Sequence, residues 1–166
     1  MKKKKNLKIS CRKASLKDLE GICQLRSQSA NDPEDKLTTE YASYDPKIDN
    51  PWIQKCLRTK QRIILIAEDT EGICAHSIVA IENVPKRKQQ YYTYQKKALI
   101  VHLYVAIKKR HQGIGKTLLS YTLKFLEQQG VDFVELDCYI GNTKADSLYK
   151  KLGFKDIFIK ERLNFK

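Results

Sequence analysis

No stretch of this 166-residue chain is apolar for the roughly 18 residues that a bilayer crossing needs. The longest such run, Ile63 to Ala67, has the length of a strand. An apolar segment is also missing behind Met1 and its four lysines, so the basic start does not read as a secretory signal, and a cytoplasmic protein is expected. Paired cysteines are absent. The five present, Cys11, Cys23, Cys56, Cys74 and Cys138, are odd in number, widely spaced and without a C-x-x-C pair. That argues against a disulfide frame or a zinc site and for reduced thiols buried as small hydrophobes. Glycine (7) and proline (4) are few, and neither a repeat nor a Pro/Gly/Ser linker divides the chain. A collagen-like or disordered chain is therefore excluded, and one domain over residues 7–166 behind a basic tail at 1–6 is expected. Acids are scarce beside bases, 19 against 32, for a net charge of +13. Such a charge attracts polyanions, whether nucleic acid, an acidic membrane or a multiply phosphorylated cofactor.

What is present is a sequence of alternating patterns. Leu7 to Lys13 reads as a short strand, and Ser15-Leu16-Lys17-Asp18 as a capping box opening a helix with Leu16, Leu19, Ile22 and Cys23 inward. From Asn31 to Asn50 the pattern breaks around Pro33 and Pro46, with six acids against two lysines. A short helix is expected over Trp52 to Arg58. Arg62 to Glu68 and Ile73 to Glu82, split by Glu71-Gly72, predict an antiparallel hairpin. A polar connection, Pro85 to Lys97, mixes five bases with Tyr91, Tyr92 and Tyr94. Then come a strand over Ala98 to Ile107, a helix over Gly113 to Gln129 stopped by Gly130, a strand over Val131 to Tyr139, a helix over Thr143 to Leu152 and a last strand over Phe154 to Leu163. This order predicts a mixed α/β sheet flanked by helices.

The stretch HLYVAIKKRHQGIGKTLL, His102 to Leu119, places glycines at the start of a helix, where unpaired N–H groups and the positive dipole end favour a phosphate or pyrophosphate. A P-loop is excluded, because Arg110 stands where its first glycine is required. A dinucleotide fingerprint lacks its third glycine, at Leu118. Arg110-x-x-Gly113-x-Gly115 resembles the Q/R-x-x-G-x-G/A turn of the GNAT superfamily of acyl-CoA-dependent N-acetyltransferases. The resemblance extends to Asn142-x-x-Ala145-x-x-Leu148-Tyr149-x-x-x-Gly153-Phe154, which matches that family's second block at all six fixed positions. It is strong from about residue 98 to 154.

The resemblance implies a mostly antiparallel sheet with a splayed central strand pair, acetyl-CoA as cofactor, and direct acetyl transfer to a primary amine of a small molecule or protein. Backbone groups of Leu103 and Val105 would bind the pantetheine arm, with the Val105 N–H as oxyanion donor. Arg110, Gln112, Gly113, Gly115 and Lys116 would surround the pyrophosphate. Tyr149 would protonate the departing thiolate, which suits a phenol that is protonated at neutral pH. Asn142 would touch the cofactor arm, although capping of the helix by Asn142 or Thr143 explains it equally well. Lys108, Lys109 and Lys116 also read as solvated charges, and Tyr149 with Ala145, Leu148 and Leu152 as a plain core stripe. No metal site is expected.

The attacking amine must lose a proton, to water or to a base. Candidates are Glu68, Glu82, His102, Glu135 and Asp137. Cys138 reads as core rather than as a nucleophile. The acidic Asn31 to Asn50 stretch would favour a cationic acceptor, or is simply a solvated loop. The basic, tyrosine-bearing connection suits RNA or ribosomal contact, as in an acetyltransferase acting on aminoacyl-tRNA or a ribosomal protein. A non-catalytic acyl-CoA-binding or RNA-binding module is the competing class. The closing strand looks shortened, which leaves an edge that a second subunit of a homodimer would cover.

Overall fold

The computed structural model describes residues 8–33, 44–161, 163 and 165. Five strands form one sheet in the order β1-β2-β3-β4-β5: β1 Ser10–Lys13, β2 Arg62–Asp69, β3 Gly72–Asn83, β4 Lys96–Val105 and β5 Phe133–Leu136. The first four are antiparallel neighbours, and only β4 with β5 is parallel. Helices α1 (Leu19–Ala30) and α2 (Pro46–Arg58) cover one face, and α3 (Ile114–Gln128) covers the other. α4 (Thr143–Lys151) comes after β5. The mixed, mostly antiparallel sheet expected from the sequence is the sheet observed.

β2 is buried from Ile63 to Ala67 because both faces are covered. Ile64 and Ile66 meet Ile22, Ile53 and Ile78 on the α1/α2 side, while Ile63, Leu65 and Ala67 meet Ile114 and Leu118 on the α3 side. Each fully buried Ile or Leu here contributes about 1.5–3 kcal/mol. α3 presents Ile114, Leu118, Leu119, Thr122 and Leu126 to the sheet, at the helical spacing of its sequence.

Several boundaries move. Leu7 lies outside the described residues, and β1 is four residues long. At the capping box the Asp18 carboxylate receives both the Ser15 N–H at 2.7 Å and the Ser15 hydroxyl at 3.0 Å. The capping box expected over Ser15 to Asp18 is formed. α2 starts at Pro46 rather than Trp52, since Asp45 caps it by accepting from the Lys47 N–H at 2.9 Å and Pro46 suits a first helical position. β5 is shorter than its apolar pattern, and no strand comes after it among the described residues. Phe154 to Glu161 is irregular and mostly exposed. Cys23, Cys56 and Cys74 are buried, whereas Cys11 and Cys138 are only half-buried.

Two features of β4 shape the open end of the sheet. Its register against β3 slips between Val79↔Ile100 and Ile78↔His102, so Val101 is an extra, bulged residue. The bulge exchanges the faces: Ile100 packs on the α3 side, and so do Leu103 and Val105, while His102 and Tyr104 turn to the α1 side. The ladder to β5 runs only from Lys97↔Phe133 to Ile100↔Leu136. Its near end is stitched by Asp132, whose carboxylate accepts the Gln95 and Lys96 N–H groups, both at 2.8 Å. The far end is open.

Candidate functional site

Beyond Ile100, β4 has a β3 neighbour but no β5 neighbour. The Ala106 N–H donates to the Cys74 carbonyl at 2.9 Å, which sets the alternation of the antiparallel ladder. By that alternation His102 and Tyr104 exchange bonds with β3, and the N–H and C=O groups of Leu103 and Val105 point the other way, into the space that β5 leaves. These are the two residues whose backbone the sequence resemblance singles out.

The start of α3 stands beside this open edge. Gly113 precedes the helix at φ +80°, a left-handed conformation that favours glycine, and a side chain there would meet nothing within 4 Å. The first helical bond runs from the Thr117 N–H to the Gly113 carbonyl at 3.0 Å, so Ile114, Gly115 and Lys116 have no intrahelical acceptor for their N–H groups. A Cβ on Gly115 would lie 3.5 Å from a Val105 methyl and 3.9 Å from a Leu148 methyl. The glycine turn, the open strand and α4 thus converge on one place. A cavity of about 410 Å³ lined by Asn83, Tyr94, Lys96 and Asp132 lies at the opposite, stitched end of β4.

The side chains of the turn divide. Lys108, Gln112 and Lys116 are exposed, and the Gln112 amide bonds the Lys108 carbonyl at 3.3 Å. Lys109 is tied to Asp69 at 2.6 Å and Glu71 at 2.7 Å, which raises its own pKa and holds the Asp69 carboxyl below the usual range. It anchors the turn to the β2–β3 hairpin. Arg110 has its guanidinium on Asp32, with its Nε donating to the Val105 carbonyl at 3.1 Å and its Cζ 5.3 Å from the centre of the Tyr104 ring. Its side chain thus reaches across the open strand toward the end of α1.

Asp32 is 2% exposed and also accepts from the Tyr104 hydroxyl at 3.2 Å. The sequence counted it among the acids of a loop. Asp45 and Asp49 of the same stretch serve α2, Asp49 accepting the Asp45 N–H at 2.9 Å, while Glu34, Asp35 and Glu40 lie outside the described residues.

Next to this triad runs a second buried chain. His76 of β3 is fully buried, its Nε2 lies 2.9 Å from His102 Nδ1, and His102 Nε2 lies 3.1 Å from Ser29 Oγ. The rings stack at 5.0 Å. His76 Nδ1 has no partner among the described residues, so the less costly tautomer keeps a lone pair there and the proton on Nε2. His76 then donates to His102, and His102 to Ser29. Burial above all, and the neighbouring His102 and Arg26 charges, push the His76 pKa well below the ordinary 6.5. Ser29, Asp32 and His76 escape sequence reasoning because no local pattern joins residues so far apart.

Tyr149 is half-buried in the cluster that holds Leu103 and Leu148, its ring 5.9 Å from Phe154. Asn142 caps α4, its side-chain oxygen accepting the Ala145 N–H at 3.2 Å, which is the capping alternative. Burial raises the Cys138 pKa, so its thiol stays protonated. Glu68 is bound by Arg12 at 2.8 and 3.0 Å, Glu135 by Lys97 at 3.0 Å, and Glu82 lies 3.8 Å from Lys97. Asp137, exposed and one residue past the last β5 pair, has no cation partner among the described residues.

Residues 22–154 match the model of the acetyltransferase (GNAT) family. An N-alpha-acetyltransferase of Sulfurisphaera tokodaii is 29% identical over 102 residues, covering 61% of each chain. The chain thus spans less than two thirds of that relative's length. A mutant of the BH1408 protein of Bacillus halodurans superposes with a TM-score of 0.79 at 23% identity, covering 95% of this chain and 99% of that one. An aminoglycoside N-acetyltransferase solved in complex with CoA gives 0.73 at 15% identity, covering 96% and 99%. At these identities the two structures establish likeness of fold.

Proposed function

This chain belongs to the acetyltransferase (GNAT) family, and we propose that it moves the acetyl group of acetyl-CoA directly to a primary amine of a small molecule or protein. The observation that carries the reading is the open stretch of β4, with Leu103 and Val105 backbone groups aimed into a gap beside the uncapped start of α3. An extended amide-bearing arm fits the unpaired strand edge, and a pyrophosphate fits the N–H groups of Gly113, Gly115 and Lys116. Gln112 and Lys116 are exposed beside them. The net charge of +13 favours the same polyanion. Bound there, acetyl-CoA supplies the activated thioester.

The Val105 N–H then donates to the acetyl carbonyl oxygen as charge builds on it. As the amine nitrogen bonds the acetyl carbon and the carbon–sulfur bond breaks, Tyr149 gives its phenolic proton to the departing thiolate. The amine proton goes to Asp137, directly or through water. Asp137 is the base we assign, because Glu68, Glu82 and Glu135 face cations and both His102 ring nitrogens are engaged. Asn142 acts on this chemistry through α4, whose first turn it caps.

The relatives include an N-alpha-acetyltransferase, and the solved structures of like fold include an aminoglycoside N-acetyltransferase. A second reading, contact with RNA or the ribosome, has its own observation. On the helical turn Lys86–Tyr91, Lys86, Arg87 and Lys88 are exposed, with Tyr91 76% and Tyr92 44% exposed beside them. Cations with solvent-facing rings suit a nucleic-acid strand. The outer edge of β5 has no strand neighbour among the described residues, which suits a second copy of the chain.

The deciding experiment is calorimetric titration with acetyl-CoA, then thiol release against polyamines, aminoglycosides, peptides and aminoacyl-tRNA. Binding with turnover on one class supports the transferase and names its acceptor. Absence of acetyl-CoA binding by the folded protein overturns it.

A further inference from the structure

We infer that Asp32 is a positioning residue for acetyl transfer, holding Arg110 so that its Nε fixes the Val105 carbonyl at the open edge of β4. This inference rests on the transferase reading above. Val105 is the last residue of β4, and on its outer side no strand among the described residues restrains it. In place of a neighbouring strand, the Arg110 Nε–H bonds its carbonyl at 3.1 Å. Arg110 lies five residues further on, beyond a helical turn, and an arginine side chain left in water would sample many rotamers. The contacts that limit it include the Asp32 carboxylate, the Tyr104 ring at 5.3 Å, and Val105 itself. Asp32 is held in turn by the Tyr104 hydroxyl at 3.2 Å.

Burying a carboxylate is costly unless a cation and hydrogen bonds compensate it. A solvent-facing arginine beside a phosphate would not need such a partner. The arrangement instead holds the Val105 carbonyl, across the Cα from the N–H that must meet a developing oxyanion, and so limits rotation at the residue that carries the donor; misplacement of such a donor by about 1 Å can cost on the order of a hundredfold in rate. Asp32 also ends the turn after α1, so the same ion pair ties the end of α1 to the glycine turn before α3. The Arg110 of the recognisable turn motif is then a part of the strand's support, with the turn backbone left to the pyrophosphate.

The test compares wild type with Asp32→Asn, Arg110→Lys, Arg110→Ala and the Asp32→Asn/Arg110→Ala pair, each shown folded by its melting curve at the assay temperature. The expected result is a kcat lower by about ten- to a hundredfold in each single variant, with the acetyl-CoA Kd within about twofold of wild type. The double variant is no slower than Arg110→Ala, because the two residues act as one unit. A purely structural role would lower the melting temperature and leave kcat of the folded enzyme unchanged, which overturns the inference. A selective rise in the acetyl-CoA Kd, with kcat kept, also overturns it and returns the guanidinium to the pyrophosphate. Backbone amide spectra read the same coupling without turnover. Asp32→Asn should shift the Val105 and Ala106 resonances in the wild-type background but not with Arg110→Ala, and unmoved resonances overturn the inference. If wild type turns over no amine at all, the transferase reading fails, and the catalytic role of Asp32 falls with it.

Discussion

Beyond Ile100 the two faces of β4 are built on different principles. On the α3 side Leu103 and Val105 lie against Ile114, Leu118 and Leu148, an apolar surface beside the glycine turn. On the α1 side His102 and Tyr104 enter a buried polar network with Ser29, Asp32, His76 and Arg110. The first face tolerates any apolar filler of the right volume. The second depends on its polar groups finding partners, since an unpaired buried group is costly, and it confines the shortfall to the lone pair of His76 Nδ1 among the described residues. A strand that must stay rigid without a neighbour on one edge is thus packed from one side and tethered from the other.

Substitutions on the two faces should separate binding, chemistry and stability. The largest effect is expected at Gly113. Valine there adds roughly 1–2 kcal/mol of left-handed strain and fills the open approach to the helix start, so calorimetry should detect no acetyl-CoA binding. Retained binding would move the pyrophosphate away from this turn. Tyr149→Phe should lower kcat by about a hundredfold with the acetyl-CoA Kd little changed; rates equal to wild type would assign its ring to packing alone. Asp137→Asn should slow turnover by about tenfold, with water partly replacing the lost base, and an unchanged pH profile would remove that role.

The polar face predicts an acid sensitivity. His76 is neutral when folded and stays so well below pH 6.5, whereas in the unfolded chain it takes up a proton near 6.5. Below that pH the unfolded state binds more protons, so stability is full above about 6.5 and falls toward acid by up to about 1.4 kcal/mol per pH unit from this group. Urea unfolding at pH 7.5, 6.5 and 5.5 should show that slope in wild type and a flatter one in His76→Gln. The smallest effect is expected on the apolar face. Gly115→Ala meets Val105 and Leu148 at ordinary contact distances, so activity and melting temperature should stay close to wild type. A large loss would mean that the cofactor needs the space itself.

Much of this could be read along the chain. The hairpin of β2 and β3, the inward stripe of α3 and the glycines that flank it at 113 and 130 come from local periodicity and turn chemistry. So do the opposite facings of His102 and Leu103. The misjudged parts are those where tertiary partners decide. Val131, Asp132 and Asp137 to Tyr139 have strand-like composition, yet the paired ladder to β4 holds only Phe133–Leu136. Phe154 to Leu163 alternates well enough for a strand and pairs with none among the described residues.

The sequence by itself determined the order of elements, the apolar faces and the two motif blocks, because each depends on residues within a few turns of one another. The tertiary structure alone decided that Asp32 belongs to Arg110 rather than to a solvated acidic loop, and that His76 and Ser29 enclose His102. It also decided that the Val105 carbonyl is held by a side chain. Partners 78, 26 and 73 residues apart leave no periodic trace in a chain. Their pairing results from the burial that the fold imposes, under which a charge or an imidazole must find a counterpart wherever the sheet and helices bring one.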